Sequence, residues 1–285
     1  MRPASDLPWV IAMLLAVACE RPDALVLCHN ANCAGPPDPD RDDTIEALEE
    51  SLALEYRGRP VIDGVEVDVF WHGARGRCEF SHDAETNLSP ALAVDAARTI
   101  AAHFSRSGPI AWNDERFHVK MEIKDFVGSR TDHHTAAQRE AHVACTFDLY
   151  EIWRDAAIGA GRPIRVIFDS LSPTLLRAIV ADPRWPGKLP HANVELALSA
   201  DYPDPTRTGL GNPTLSDFDG LTLDIVEYHW NWVTDGQYQA WRSMGLETTM
   251  WMFSATVEAF DAIEALRPTY VLTSEAPLVR RWLEY

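Results

Sequence analysis

Val65-Glu66-Val67-Asp68-Val69-Phe70-Trp71 alternates β-branched and acidic residues. Successive side chains on a strand point to opposite faces, so Glu66 and Asp68 share one face while Val65, Val67 and Val69 share the other. Two carboxylates side by side on an otherwise apolar strand repel each other unless a cation stands between them. A hard divalent ion, Ca²⁺ or Mg²⁺, takes oxygen ligands of this kind. The plain alternative is an edge strand with its acidic face in solvent. The His82-Asp83 pair that follows within twenty residues favours a site.

Outward from this stretch the chain reads as strands and helices in turn. Ala24 to Cys28 is a short buried strand delivering His29-Asn30, followed by a Pro-, Asp- and Asn-rich loop, Ala31 to Asp42. A helix is expected from Thr44 to about Tyr56, with Ile45, Leu48, Leu52 and Leu54 on its apolar face. The second strand runs from Val61 to Trp71. Ser89-Pro90 has the form of a helix start, Ser at the N-cap and Pro in the first turn. Phe117 to Lys124 alternates again, with His118, Lys120, Glu122 and Lys124 on one face. A long helix follows from about His134 to Ala160. Strands are expected at Ile164–Phe168, Val194–Ser199, Leu221–Tyr228, Glu247–Phe253 and Tyr270–Thr273. Helices are expected near Ser172-Pro173, Asp235–Met244, Ala255–Leu266 and Ala276–Leu283, with Asp201 to Asp219 a long loop.

About eight strands, the main ones each followed by a helix, at this length predict an α/β fold, a (β/α)8 TIM barrel in a single domain over 24–285. Function in such barrels sits at the C-terminal ends of the strands. His29 after strand one, Glu66 and Asp68 late in strand two, and Glu122 and Lys124 ending strand three all fall at that rim.

The chain has 285 residues, 46% of them hydrophobic, enough for a sizeable core. Lys and Arg total 25 against 43 Asp and Glu, a net charge of −18. Such a surface argues against nucleic-acid or anionic-membrane binding, and an anionic substrate would need a local cation. Residues 1–19 resemble an export signal: the apolar run Trp9 to Ala18 is too short to span a bilayer and ends in small residues before Cys19. Leu15-Ala16-Val17-Ala18-Cys19 is similar to a lipoprotein cleavage box, in which Cys19 would carry a membrane tether. Expected localisation is therefore outside the cytoplasm, periplasmic or anchored to the envelope. Cys28, Cys33, Cys78 and Cys145 remain, and spacing alone does not pair them. No C-x-x-C or paired Cys/His spacing supports a structural zinc site, and nothing implies a protein partner.

His29, Asp42-Asp43-Thr44, Glu66-Val67-Asp68, His82-Asp83 and Glu122-Ile123-Lys124, in that order, resemble the motifs of the glycerophosphodiester phosphodiesterases. Thr249-Met250-Trp251-Met252 resembles that family's Trp-bearing seventh strand, and Thr273-Ser274-Glu275-Ala276-Pro277 lies in a stretch resembling its ending. The resemblance runs from about Leu25 to Pro277. It implies a metal-dependent phosphodiester hydrolase acting on a small glycerophosphodiester or lysolipid. Glu66, Asp68 and Glu122 would hold Ca²⁺ or Mg²⁺, His29 and His82 would serve as acid and base, and Lys124 would neutralise phosphoryl charge. In the family a neighbouring glycerol hydroxyl is thought to attack first, giving a cyclic phosphate that water opens. Asn30 stands where the family has Arg, which removes a cationic phosphate contact. Asn30 and Trp251 are substrate-side candidates, and Tyr228-His229-Trp230-Asn231-Trp232 a wall for the alcohol. The short segment after Asp83 leaves no room for a capping subdomain. The rival readings are a sphingomyelinase D-like lyase with a cyclic product and a non-catalytic binding protein on a decayed barrel.

Overall fold

A computed structural model of the chain describes residues 22–82, 90–112, 116–127, 130–131, 134–185, 193–201 and 215–285. The export segment with Cys19, together with Asp83, Ser89 and His133, lies outside the described residues. Eight parallel strands close on themselves: β1 (Leu25–Cys28), β2 (Gly64–His72), β3 (Phe117–Lys124), β4 (Ile164–Ser170), β5 (Val194–Asp201), β6 (Ile225–His229), β7 (Glu247–Met252) and β8 (Tyr270–Thr273). Each pairs with the next, and β1 closes the ring by pairing with both β8 and β2. The helices are α1 (Ile45–Leu52), α2 (Ala93–Phe104), α3 (Ala136–Ala160), α4 (Pro173–Ala181), α5 (Asp235–Ser243), α6 (Val257–Leu266) and α7 (Ala276–Leu283). Between β5 and β6 the described residues hold one 3-10 turn, Leu215–Phe218. The (β/α)8 barrel expected from the sequence is the observed fold.

Alternation explains which side chains point where. Val65, Val67, Val69, Phe117, Val119, Met121, Val166 and Phe168 belong to the outer core shared with the helices. The residues between them point into the barrel, in three layers. At the base Arg165 pairs with Glu195 at 3.0 Å and Glu247 at 2.6 Å. Above it Leu27, Ile167, Ala197, Ile225, Tyr270 and Leu272 form an apolar plug. The uppermost layer is ionic. The closing helix locks the seam: Arg280 Nε donates to Val61 O at 2.8 Å and its guanidinium pairs with buried Asp63, whose Oδ2 accepts from Val26 N at 2.9 Å.

Several expected boundaries move. The first helix ends at Leu52, capped at its start by Thr44, whose hydroxyl accepts from Ala47 N. Leu54 and Tyr56 fall beyond it, because Arg57 and Gly58 take positive φ and turn Glu55–Tyr56 back on Arg59–Pro60 as a hairpin. Pro90 does not open a helix. Ala91–Leu92 pairs antiparallel with Glu79–Phe80, extending the sheet from the strand Arg77–Phe80, and α2 starts only at Ala93. The second strand begins at Gly64 and the sixth at Ile225, later than expected. By contrast α3 has the complete capping box of Thr135 and Gln138 and ends on Gly161 in the left-handed region. Two disulfides join Cys28 to Cys33 and Cys78 to Cys145. Among the described residues no helix is long and apolar enough to cross a membrane.

Candidate active site at the barrel rim

Parallel pairing sets the upper layer. On β2 and β3 Glu66 stands level with Lys120 and Asp68 with Glu122, and Glu122 stands level with Asp169 of β4. On β5 and β6 Asp201 stands level with Glu227. All are inward positions: Glu122, Asp169 and Asp201 lie towards the C-terminal ends of their strands, and Asp68 and Glu227 midway. Glu66, expected late in its strand, lies in the first half of β2 because that strand begins only at Gly64, and Lys120 lies in the first half of β3. Glu66 and Asp68 are wholly buried. Glu66 Oε1 accepts from Lys120 Nζ at 2.6 Å, and its Oε2 accepts from the backbone N–H of Asn30 at 3.0 Å. Neither oxygen of Asp68 has a hydrogen-bond partner among the described residues, and Lys124 Nζ stands 3.4 Å from its Oδ1. Lys124 also pairs closely with Glu122.

The electrostatics follow from this crowding. Burial pushes the Asp68 carboxyl up to about 7, against the opposing pull of Lys124. Burial would raise Glu122 too, but Lys124 and Lys120 outweigh it and hold that carboxyl well below its usual range. Burial disfavours the Lys124 ammonium, yet Asp68 and Glu122 overcome this and raise it. Asp169, Asp201 and Glu227 are all shifted upward, chiefly by burial.

His29 follows β1 directly, within the short loop closed by the Cys28–Cys33 disulfide. Asn30 and Ala31 have φ of 48° and 55°, a left-handed turn that Asn tolerates well. The ring of His29 sits with Nδ1 3.2 Å from Ser274 Oγ and Nε2 3.9 Å from Glu66 Oε2. It lies parallel to Trp251 at 6.1 Å and edge-on to Phe253 at 5.3 Å. Burial lowers its pKa, opposed by Glu66 and Asp42. His82 follows Ser81, whose N–H donates to Asp68 O at 3.2 Å, and its charge acts on both Asp68 and Glu122. The structure thus brings His29, His82, Glu66, Asp68, Glu122 and Lys124 to one rim.

Two substrate-side candidates are placed differently from each other. Asn30 turns its amide to Asp42 Oδ2 at 3.2 Å, and Asn32 holds the other oxygen at 2.9 Å, so that side chain orders the loop. Trp251 is half-buried in an aromatic group with His229 at 4.3 Å, Trp232 at 5.2 Å and Phe253 at 5.1 Å. Sequence reasoning passed over Lys120, Asp169, Asp201, Glu227 and buried Asp43. The signal that singled out Glu66, a charged residue within an apolar strand, is present in Phe168-Asp169-Ser170 and Val226-Glu227-Tyr228 as well.

Carboxylate oxygens of Glu66, Glu122 and Glu227 lie within 4.8 Å of one another. An all-oxygen donor set of this density suits a hard divalent cation, and the two buried, unbonded oxygens of Asp68 are what such an ion would satisfy.

No protein-family model matches the sequence, and no curated protein does. The fold does find matches among solved structures. An Oleispira antarctica phosphodiesterase in complex with the product sn-glycerol-3-phosphate superimposes with a TM-score of 0.60 at 13% identity, covering 92% of this chain and 97% of that one. A glycerophosphodiester phosphodiesterase from Parabacteroides distasonis gives 0.59 at 11% identity, over 93% and 98%. One from Thermotoga maritima gives 0.51 at 13%, over 91% and 98%. At such identities the likeness is one of architecture: the chain has the same barrel as solved glycerophosphodiester phosphodiesterases, over nearly its whole described length.

Proposed function

We propose that the protein is a metal-dependent phosphodiester hydrolase acting on glycerophosphodiesters or related lysolipids. The observation that carries this reading is the convergence of His29, three carboxylates and a lysine from the first three barrel strands on one buried rim, with half-buried His82 acting on two of those acids. The sn-glycerol-3-phosphate held by the similar Oleispira protein supports the substrate class. Glu66, Asp68 and Glu122 would hold the cation. A Ca²⁺ or Mg²⁺ ion bound there supplies positive charge to the non-bridging phosphoryl oxygens.

The chain's own groups do the rest. His29, kept neutral by burial, accepts the proton of the attacking hydroxyl, and Ser274 fixes the plane of its ring. His82, beside Asp68 and Glu122, returns a proton to the departing alkoxide. Lys124 balances charge that develops on phosphoryl oxygen. Trp251 and its aromatic neighbours form a wall for the alcohol. Export, with Cys19 as a membrane tether, belongs to the same reading and is supported by the two disulfides, which persist in oxidising compartments.

The test is turnover of glycerophosphocholine, lysophosphatidylcholine and bis-p-nitrophenyl phosphate with Ca²⁺, with Mg²⁺ and with EDTA. EDTA-sensitive release from at least one diester is expected, and silence on all of them would sink the proposal. His29→Ala and His82→Ala should each lower turnover by about 100-fold or more with the fold retained. Phosphorus NMR of the product separates hydrolysis from cyclisation: a persistent cyclic phosphate would identify a lyase.

A further inference from the structure

Lys120 has no part in the reading above, yet it is the most completely enclosed cation of the site. It lies on β3, one inward position below Glu122, with no exposure to solvent. Its Nζ is 2.6 Å from Glu66, 3.1 Å from Glu227 and 3.2 Å from Asp169, while Glu122 stands further off at 3.8 Å. An ammonium has three N–H donors and no acceptor. Three carboxylates, from β2, β6 and β4, stand at distances for charge-assisted contact with them.

Glu66, Glu122 and Glu227 are also the residues whose oxygens converge with the spacing of a metal site. Two of these, Glu66 and Glu227, hold the Lys120 ammonium directly, and the third, Glu122, stands 3.8 Å from it. Where the carboxylate geometry asks for a cation, a side chain already provides one. Burying several carboxylates together without a countercharge is prohibitively costly, so the nest and the lysine stand or fall together.

We infer that Lys120 is a built-in cation, its ammonium filling a nest of Glu66, Asp169 and Glu227 in which a divalent metal ion would otherwise sit. The nest lies beneath the rim, so the barrel would combine one fixed positive charge with one exchangeable ion. Lys120 acts as a positioning residue. By engaging Glu66 Oε1 it leaves Oε2 turned to the Asn30 N–H and to His29. The inference concerns what holds the nest together, and its test reads stability and ion binding rather than turnover, so it can fail while the proposed activity stands, and the reverse.

The experiment replaces the lysine and asks whether a metal ion takes its place. In EDTA, Lys120→Met should unfold about 10 °C or more below wild type, because its nest is left unbalanced. Adding Ca²⁺ or Mg²⁺ should restore most of that loss, and calorimetric titration should find one more bound ion per chain than in wild type. The triple variant Lys120→Met, Asp169→Asn, Glu227→Gln, in which Glu66 is the one charged acid left in the nest, should fold in EDTA and bind no additional ion. If Lys120→Met does not fold on expression, refolding from denaturant with and without Ca²⁺ gives the same information. Refolding only with the ion supports the inference. Refolding in neither condition, or a Lys120→Met protein equally unstable with and without metal, or one with wild-type ion stoichiometry, overturns it.

Discussion

Glu66 and Asp68 share a strand face, yet the barrel gives them opposite surroundings. Glu66 is tied at both oxygens, to Lys120 and to the Asn30 backbone, whereas Asp68 accepts no hydrogen bond from the described residues and is balanced by the nearby charges of Lys124 and His82. Lys124 therefore serves two acids at once, Asp68 and Glu122. Replacing it by Met should lower turnover by about 100-fold, as loss of a charge-stabilising donor does, while circular dichroism shows an intact fold. Wild-type turnover in that variant would exclude the residue from the chemistry. That Glu66, Asp68, Glu122 and Lys124 lie together was legible in the sequence, because each sits on the polar face of an alternating strand. Their partners were not legible. Asn30 illustrates the limit: the sequence places it beside His29, but only its left-handed backbone turns its amide to Asp42.

At the scale of elements, the seam where β1, β2 and β3 meet depends on Gly64. A Cβ there would lie 2.2 Å from His118 O and 2.7 Å from His118 Cβ, contacts that backbone cannot easily relieve. Gly64→Ala should cost about 3 kcal/mol in urea unfolding, and a loss under about 1 kcal/mol would show that the seam can open. A local start signature was not decisive: Ser172 and Pro173 start α4, but the same Ser-Pro pattern ahead of α2 did not, and that helix begins only at Ala93. Ala91–Leu92 joined the sheet because the strand Arg77–Phe80 offered it a pairing edge, a contact that no local pattern announces.

For the molecule as a whole, acid stability depends on buried histidines that take no part in the proposed chemistry. Burial, reinforced by His134, pushes His142 down to about 3, and its Nε2 lies 3.1 Å from Val69 O. Burial likewise pushes His103 down to about 4. Both stay neutral in the fold, while the unfolded chain takes up their protons below about 6.5. The unfolded state then binds more protons, so this stability is fully present above about pH 6.5 and is lost as pH falls towards 4 and 3. The raised carboxyls of the rim act in the opposite sense, since the folded state there holds protons that the unfolded chain releases. A single substitution separates the two. His142→Gln keeps an amide donor for Val69 O and cannot titrate. Wild type should lose about 3 kcal/mol more than this variant between pH 6.5 and 4, read from chemical unfolding at each pH. Equal losses would mean that His142 is protonated in the fold.

What the sequence by itself determined is the order of eight strand–helix units, the face to which each strand residue points, and the rim on which the charged ones gather. These follow from local period: a repeat of two along a strand assigns faces, and strand length assigns height. Only the tertiary structure decided which charges meet. Lys120 finds Glu66, Asp169 and Glu227 across the barrel, Arg280 finds Asp63 at the seam, and four cysteines of uninformative spacing become two disulfides. The reason is that closing a sheet into a barrel sets contacts between strands distant in the chain, and that closure is governed by the register of all eight strands together rather than by any one of them.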